Sequence, residues 1–255
     1  MFEFYDHGVR LAFIYERPES GDRGEPILLI HGFASTHAVN WVFPQWMKSL
    51  TAAGRRVIAF DNRGHGRSEK IYDPAAYTTQ IMAEDARAVL DHLDIEVADV
   101  MGYSMGARIA AFFAKAHASR VRSMILGGLG HHLVDRAGLP LAIAEAMEAP
   151  SLAGLVDPTQ RMFRAFAEAT KSDLKALAAC ARGARQIWSE VEAREIDIPV
   201  LIAAGTKDDV AGNPHELAAL FRRARAVDIP GRDHSRAVGD TVYKESVLEF
   251  LEQRP

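Results

Sequence analysis

The run Gly102-Tyr103-Ser104-Met105-Gly106 is a GxSxG pattern set between an apolar strand candidate, Val97 to Tyr103, and a helix candidate opening at Met105. A serine on so sharp a strand-to-helix turn is held in a strained backbone conformation, and the positions flanking it must be glycine because strand and helix crowd together there. The turn presents the hydroxyl at the sheet edge. It also aims the Met105 amide and the positive end of the helix at the place where a substrate oxygen would become negative. The chemistry on offer is nucleophilic attack through a covalent intermediate. A hydroxyl alone is a weak nucleophile, so it needs a base within hydrogen-bond reach and a carboxylate that fixes the tautomer of that base. Ten histidines are available. His234 is preferred, because the turn Gly231-Arg232-Asp233-His234 follows the strand candidate Ala226 to Ile229 and lets its side chain reach over the same edge. Asp208, Asp209 and Asp233 are the carboxylates in reach of this pairing. His7, His37, His92, His117 and His215 read as surface or packing residues, and His131 and His132 as a solvated turn more than as substrate contacts.

Other chemistries lack their residues. There is no GxxxxGK to cradle phosphates, no HExxH or CxxC for a metal and no GxGxxG for a dinucleotide, so no cofactor and no metal are expected. Ser172-Asp173-Leu174-Lys175 matches SxxK in a charged, helix-like stretch without its SDN or KTG partners and reads as chance. Cys180 has no second cysteine to bridge to and reads as packing.

The elements that must position Ser104 and His234 alternate. Short apolar runs at Ile27 to Ile30, Val57 to Phe60, Val97 to Tyr103, Met124 to Gly127, Val200 to Ala204 and Ala226 to Ile229 are separated by stretches of helical period. This is the pattern of a mostly parallel sheet flanked by helices, an α/β fold. Phe2 to Tyr5 and Val9 to Glu16 predict an antiparallel hairpin at one edge. Thr79 to Leu93 is an amphipathic helix candidate, and the small residues of Met105 to His117 allow close approach to the sheet. The alternation breaks once, over residues 131–195, where helix-like sequence is interrupted by Pro140, Pro150 and Pro158 and holds too many Leu, Met and Phe residues for a solvated linker. A helical lid over the carboxyl edge of the sheet is expected, an ordinary pair of packing helices being the alternative. Residues 1–130 and 196–255 then form the two parts of the core domain.

The chain has 255 residues, 48% hydrophobic and 25% charged, which suits one large globular domain. Thirty basic against 34 acidic residues, in no long block of either sign, argue against nucleic acid or an anionic membrane as partner. No apolar run approaches the ~18 residues of a membrane span, and Glu3, Asp6, Arg10 and Glu16 interrupt the opening stretch, so a cytoplasmic location is expected.

Four segments together resemble the α/β-hydrolase superfamily, over essentially the whole chain: Ile30-His31-Gly32-Phe33, the turn Asp61-Asn62-Arg63-Gly64-His65-Gly66-Arg67-Ser68, the GxSxG elbow, and the pair Gly205-Thr206-Lys207-Asp208 and Gly231-Arg232-Asp233-His234. The order Ser104, Asp208, His234 is the order of that fold. Ala107 stands where many relatives have a second glycine, at little cost in a helix's first turn. The resemblance implies Ser104 as nucleophile, His234 as base and Asp208 as acid, with Asp209 the alternative. An acid one strand earlier is removed, because Gly127-Gly128-Leu129-Gly130 carries none. It further implies an oxyanion hole from the backbone amides of Phe33 and Met105, with His31 and His65 orienting loop backbone. The side chains of Phe33 and Met105, joined by Trp41, are expected to line the acyl pocket. Met147, Phe163 and Phe166 are expected to line it from the lid, although Phe163 and Phe166 are not both assigned inward. The implied activity is a cofactor-independent serine hydrolase acting on carboxylic esters of small to medium apolar acyl groups. Lactone, thioester or carbon-carbon hydrolysis, perhydrolysis and acyl transfer are rival chemistries within the same fold, and a small-molecule receptor on an inactive scaffold is the non-enzyme alternative.

Overall fold

The computed structural model describes residues 1–19, 21 and 26–254. Among them eight strands form one sheet: β1 (Phe2–Asp6), β2 (Val9–Glu16), β3 (Ile27–Ile30), β4 (Val57–Phe60), β5 (Ala98–Tyr103), β6 (Val121–Gly127), β7 (Val200–Gly205) and β8 (Ala224–Ile229), in the spatial order β1-β2-β4-β3-β5-β6-β7-β8. β1 and β2 pair antiparallel with Asp6 opposite Val9, so His7 and Gly8 alone make the turn. Both have positive φ, 45° and 81°, the twist that joins two antiparallel strands without splaying them. β2 also lies antiparallel to β4, and every later pairing is parallel. β6 and β8 begin earlier than their apolar runs, at Val121 and Ala224, because ladder hydrogen bonds use the backbone and tolerate the polar Arg122 and Arg225.

The strand order fixes where a ligand can bind. From β3 the chain moves outward to β4 and then returns to β5 on the other side of β3, so a crevice opens at the carboxyl ends of β3 and β5. The all-apolar strands Ile27–Ile30 and Val57–Phe60 are buried on both faces. Alternate side chains sort to opposite faces, as the two-residue period of a strand requires. Leu28, Ile30, Ile58, Phe60 and Val100 pack towards α2 (Thr79–His92) and α3 (Met105–Ala116). Ile27, Leu29, Val57, Ala59 and Met101 pack on the other face with α1 (Trp46–Ala52) and the C-terminal helix (Thr241–Gln253).

Between β6 and β7 lie α4 (His132–Asp135), α5 (Leu141–Glu148), α6 (Pro158–Ala169), α7 (Leu174–Gly183) and α8 (Glu190–Glu195), with no strand among the described residues of this stretch. Two of the three prolines mark helix starts, and Pro150 follows the C-cap Ala149 of α5. Pro140 is the N-cap of α5, and Pro158 opens α6 behind the capping carboxylate of Asp157. Ser189 and Glu192 form a reciprocal capping box on α8. Ile143, Met147, Leu177 and Trp188 join the apolar cluster of α2 and α3, so the insertion shares the core rather than standing apart from it. Polar ties add to this: Thr170 Oγ1 donates to the Ala34 carbonyl at 2.9 Å, and the Thr79 amide donates to Gln186 Oε1 at 2.7 Å. Among the described residues no helix is long and apolar enough to cross a membrane.

Candidate active site

Ser104 caps α3 with φ 57° and ψ −116°, a left-handed-side backbone that a non-glycine residue adopts only under constraint. The constraint is crowding. A Cβ added at Gly102 would collide with the Gly106 carbonyl, and one at Gly106 with the Ile30 carbonyl of β3, so neither glycine has room for a side chain. The Ser104 amide donates to the Gly127 carbonyl at 2.7 Å, which anchors the elbow to β6.

The turns after β7 and β8 are knitted to each other. The Thr206 amide donates to the Ile229 carbonyl at 3.0 Å, the Lys207 amide to the Arg232 carbonyl at 2.9 Å, and the Gly231 amide to Thr206 Oγ1 at 2.8 Å. This interlock brings Asp208 and His234, 26 residues apart, into contact. His234 Nδ1 lies 2.8 Å from Asp208 Oδ2 and 3.0 Å from Oδ1, and His234 Nε2 lies 2.9 Å from Ser104 Oγ. With Nδ1–H donating to the carboxylate, Nε2 is left to accept the serine proton. The Asp208 side chain is fully buried, and its Oδ1 accepts from the Val210 and Ala211 amides at 2.9 and 3.0 Å, so the carboxylate is held as well as the imidazole. Tyr103 Oη donates to the His234 carbonyl at 2.6 Å and its ring packs against the imidazole. Asp209 is adjacent in sequence but lines the cavity, and Asp233 caps a short helix, α9 here (His234–Ala237), through the Ser235 and Arg236 amides.

Phe33 and Met105 bring their amides to the same edge. Gly32 abuts Ser104 closely, since a Cβ there would sit 3.3 Å from the serine Cβ, and neither the Phe33 nor the Met105 N–H has a protein acceptor among the described residues. Two free backbone donors beside a hydroxyl are suited to holding a developing oxyanion.

Behind this edge lies a buried polar layer. His31 Nε2 accepts from the Asn62 amide at 3.0 Å, His37 Nδ1 donates to Asp61 Oδ1 at 2.8 Å, and the Arg67 amide donates to Asp61 Oδ2 at 2.8 Å. Burial pushes His31 down to about 4 against the opposing pull of Asp61, and pushes His65 down to about 3 with help from His31. For Asp61 burial works upward, but the hydrogen bond from His37 and the fields of His31 and His37 hold the carboxyl below its ordinary range. These groups position loops and do not reach the cavities.

Two cavities meet at Ser104, one of about 390 Å³ and one of about 270 Å³. Ser104, His234, Phe33, Met162 and Phe163 border both. Met105 lines the larger and Phe166 only the smaller, so Phe163 and Phe166 both face the smaller cavity and, of the two, Phe163 alone also faces the larger. Trp41 and Met147 are corrections to the sequence reading. Trp41 is fully buried on the opposite face of the sheet, edge-on to Trp46, and Met147 packs between α5 and its neighbours, so neither reaches a cavity. Sequence reasoning missed Met162, and it missed Arg108, whose one signal was a charge in the small-residue helix one turn past Ser104. His132, read as a solvated turn, lines the larger cavity with Nδ1 2.8 Å from the Val210 carbonyl. Cys180 lines it too, buried against Met105 Sδ at 3.7 Å, with its thiol pushed up to about 12 by burial. Among the described residues no three His, Cys, Asp or Glu side chains are grouped to hold a metal ion.

The fold and this edge agree with what the chain is similar to. Residues 25–137 match the model of the alpha/beta hydrolase fold. A Mycobacterium tuberculosis protein that carries the name of a non-heme bromoperoxidase is 30% identical over 238 residues, 83% of this chain and 87% of that one. The chain belongs to the alpha/beta hydrolase family. The 2-hydroxymuconate semialdehyde hydrolase of Pseudomonas sp. (strain CF600) is 39% identical over 130 residues, which span 49% of this chain and only 41% of that one. Among solved structures, the enol-lactonase of Burkholderia xenovorans LB400 superimposes with a TM-score of 0.82 at 22% identity, covering 98% of this chain and all of that one. The thermophilic esterase of Thermogutta terrifontis gives 0.77 at 22%, covering 98% and 96%. At these identities the structures speak for the fold alone.

Proposed function

We propose that the protein is a serine hydrolase that cleaves carboxylic esters through an acyl-enzyme on Ser104. The observation that carries this is the unbroken line of contacts from Asp208 through His234 to Ser104 Oγ. As Oγ attacks the ester carbonyl, His234 Nε2 takes the serine proton, and buried Asp208 stabilises the imidazolium without taking the proton itself. The carbonyl oxygen becomes an oxyanion between the Phe33 and Met105 amides, each such donor contributing ~3 kcal/mol to the transition state in related chemistry. Collapse expels the alcohol, which receives the proton from Nε2. Water then enters, gives a proton to the same nitrogen and attacks the acyl carbon, and the proton returns to Ser104 as the acid leaves. Residues 131–195 act as a lid on a core made of residues 1–130 and 196–255, since Met162 and Phe163 of the insertion wall both cavities. Relatives named as hydrolases, and fold neighbours named as an esterase and an enol-lactonase, support a hydrolytic reading.

A fluorophosphonate probe tests the reading. One label is expected, on Ser104, and Ser104→Ala should lose both the label and turnover of 4-nitrophenyl esters while keeping its melting temperature. Labelling elsewhere, or unchanged turnover, overturns it. A parallel panel of lactones, thioesters and diketones ranks the rival substrates.

A further inference from the structure

The larger cavity contains a charge that hydrolysis of a neutral ester does not use. Arg108 lies one turn beyond Ser104 on α3, is 5% exposed and lines this cavity. Its Nη1 donates to the Leu133 and Gln186 carbonyls at 3.2 Å each, and its Nη2 to the His132 carbonyl at 2.6 Å. Those partners are neutral dipoles. No carboxylate pairs with Arg108 among the described residues, although Asp135 acts on it from a distance. Buried charges are ordinarily paired, and this one is not. Burial accordingly pulls its pKa down to about 10, outweighing the raising effect of Asp135, while Arg185 lowers it further.

A guanidinium has five N–H donors, and the three carbonyl bonds leave two, Nε–H and one on Nη2. Nε makes no bond to protein among the described residues and is not among the occluded polar atoms, and Arg108 is one of the residues that line the cavity. Arg136 and Lys207 line the same cavity, and neither side chain has a hydrogen-bond or ion-pair partner among the described residues. Of the two acids that line it, Asp233 is engaged as the cap of α9, which leaves Asp209. The arm of the ester that enters here follows from the direction of proton transfer. The leaving oxygen must meet His234 Nε2, and Ser235, Arg236, Val238 and Gly239, which follow His234, wall the smaller cavity. The alcohol therefore leaves through the smaller cavity and the acyl chain lies in the larger.

We propose that the acyl group of the natural substrate ends in a carboxylate, which enters the larger cavity and pairs with Arg108. The inference rests on the ester-hydrolysing reading for its chemistry but not for its binding. Apolar walls from Leu129, Leu139 and Phe163 hold the methylenes, and the guanidinium takes the acid at the far end.

Two measurements test it at physiological salt. The first compares kcat/KM for mono-4-nitrophenyl glutarate with that for 4-nitrophenyl 5-methylhexanoate, in which an isopropyl group replaces the carboxylate. The acidic ester should be preferred, and Arg108→Gln, which removes the charge but keeps two neutral N–H donors, should lower the acidic-to-neutral ratio by about tenfold to a hundredfold. The second titrates monomethyl glutarate into Ser104→Ala by calorimetry, which reads binding even if no ester is turned over. Binding should weaken by a similar factor in Ser104→Ala/Arg108→Gln, with both proteins melting cooperatively. A preference for the neutral ester, or equal binding by the two proteins, overturns the proposal. An Arg108→Gln loss that is the same for both esters assigns Arg108 to holding the ends of the insertion, and overturns it as well.

Discussion

Asp208 and Asp209 are neighbours in sequence and divide sharply in environment. The Asp208 carboxylate is sealed against His234 and two backbone amides, whereas that of Asp209 faces a cavity. Only the first can fix which imidazole nitrogen carries the proton. Asp208→Asn is expected to lower kcat by up to ~10⁴-fold, the size of the tautomer effect in a well-studied triad, while Asp209→Asn changes KM more than kcat. Steady-state kinetics on one activated ester decides it. A larger kcat loss in Asp209→Asn would reassign the acid.

At the scale of elements, the loops that end β3 and β4 depend on histidines kept neutral. His31 is held to about 4 and His65 to about 3, chiefly by burial, against ~6.5 in an unfolded chain. Between those limits the unfolded chain binds more protons than the folded one, so stability rises with pH across this window. The contribution is complete above ~6.5 and drains away as pH falls towards the folded values. Asp61, held below its ordinary range, stays ionised through the same window and does not offset the loss. His65 Nε2 has no partner among the described residues, so its protonation would bury a cation with no acceptor there to receive its hydrogen. The melting temperature should therefore fall steadily from about pH 6.5 to pH 4, and His65→Gln should flatten that slope. Equal slopes in calorimetric scans of parent and variant would remove His65 from the account.

For the whole molecule, the proposed lid makes substrate choice depend on which insertion residues wall the two cavities. Phe163 borders both cavities and stands edge-on to Phe33, whereas Phe166 borders only the smaller. Burying a methylene contributes ~0.8 kcal/mol, so kcat/KM should climb several-fold per acyl carbon until the larger cavity is filled, then drop. Phe163→Ala should shift the preferred acyl length upward. Phe166→Ala should instead change tolerance for the alcohol. Met147→Ala should move neither, because its side chain is sealed among helices, and should destabilise the fold by ~2–5 kcal/mol in denaturant titrations. A shift in acyl preference in Met147→Ala, or none in Phe163→Ala, would detach selectivity from this wall.

Local rules made much of this legible in the chain. Apolar runs of four to six residues mark buried parallel strands, glycines mark the elbow because a strand and a helix leave no room for Cβ, and Pro158 behind Asp157 marks a helix start. Ser104 and His234 could be picked out because each sits on a turn whose shape its neighbours dictate. The choice among Asp208, Asp209 and Asp233 was left open by the residues alone and rested on resemblance, since all three lie in turns at the same edge and spacing does not say which way a carboxylate points. Tertiary structure separated them by interlocking the turns after β7 and β8. It also separated Met147 from Phe163, which periodicity treats alike, because which side of a helix meets a void depends on helices far away in sequence. Arg108 shows the same limit. Its charge is visible in the sequence, but its isolation is not, because that comes from where the ends of a 65-residue insertion, residues 131–195, return to the sheet.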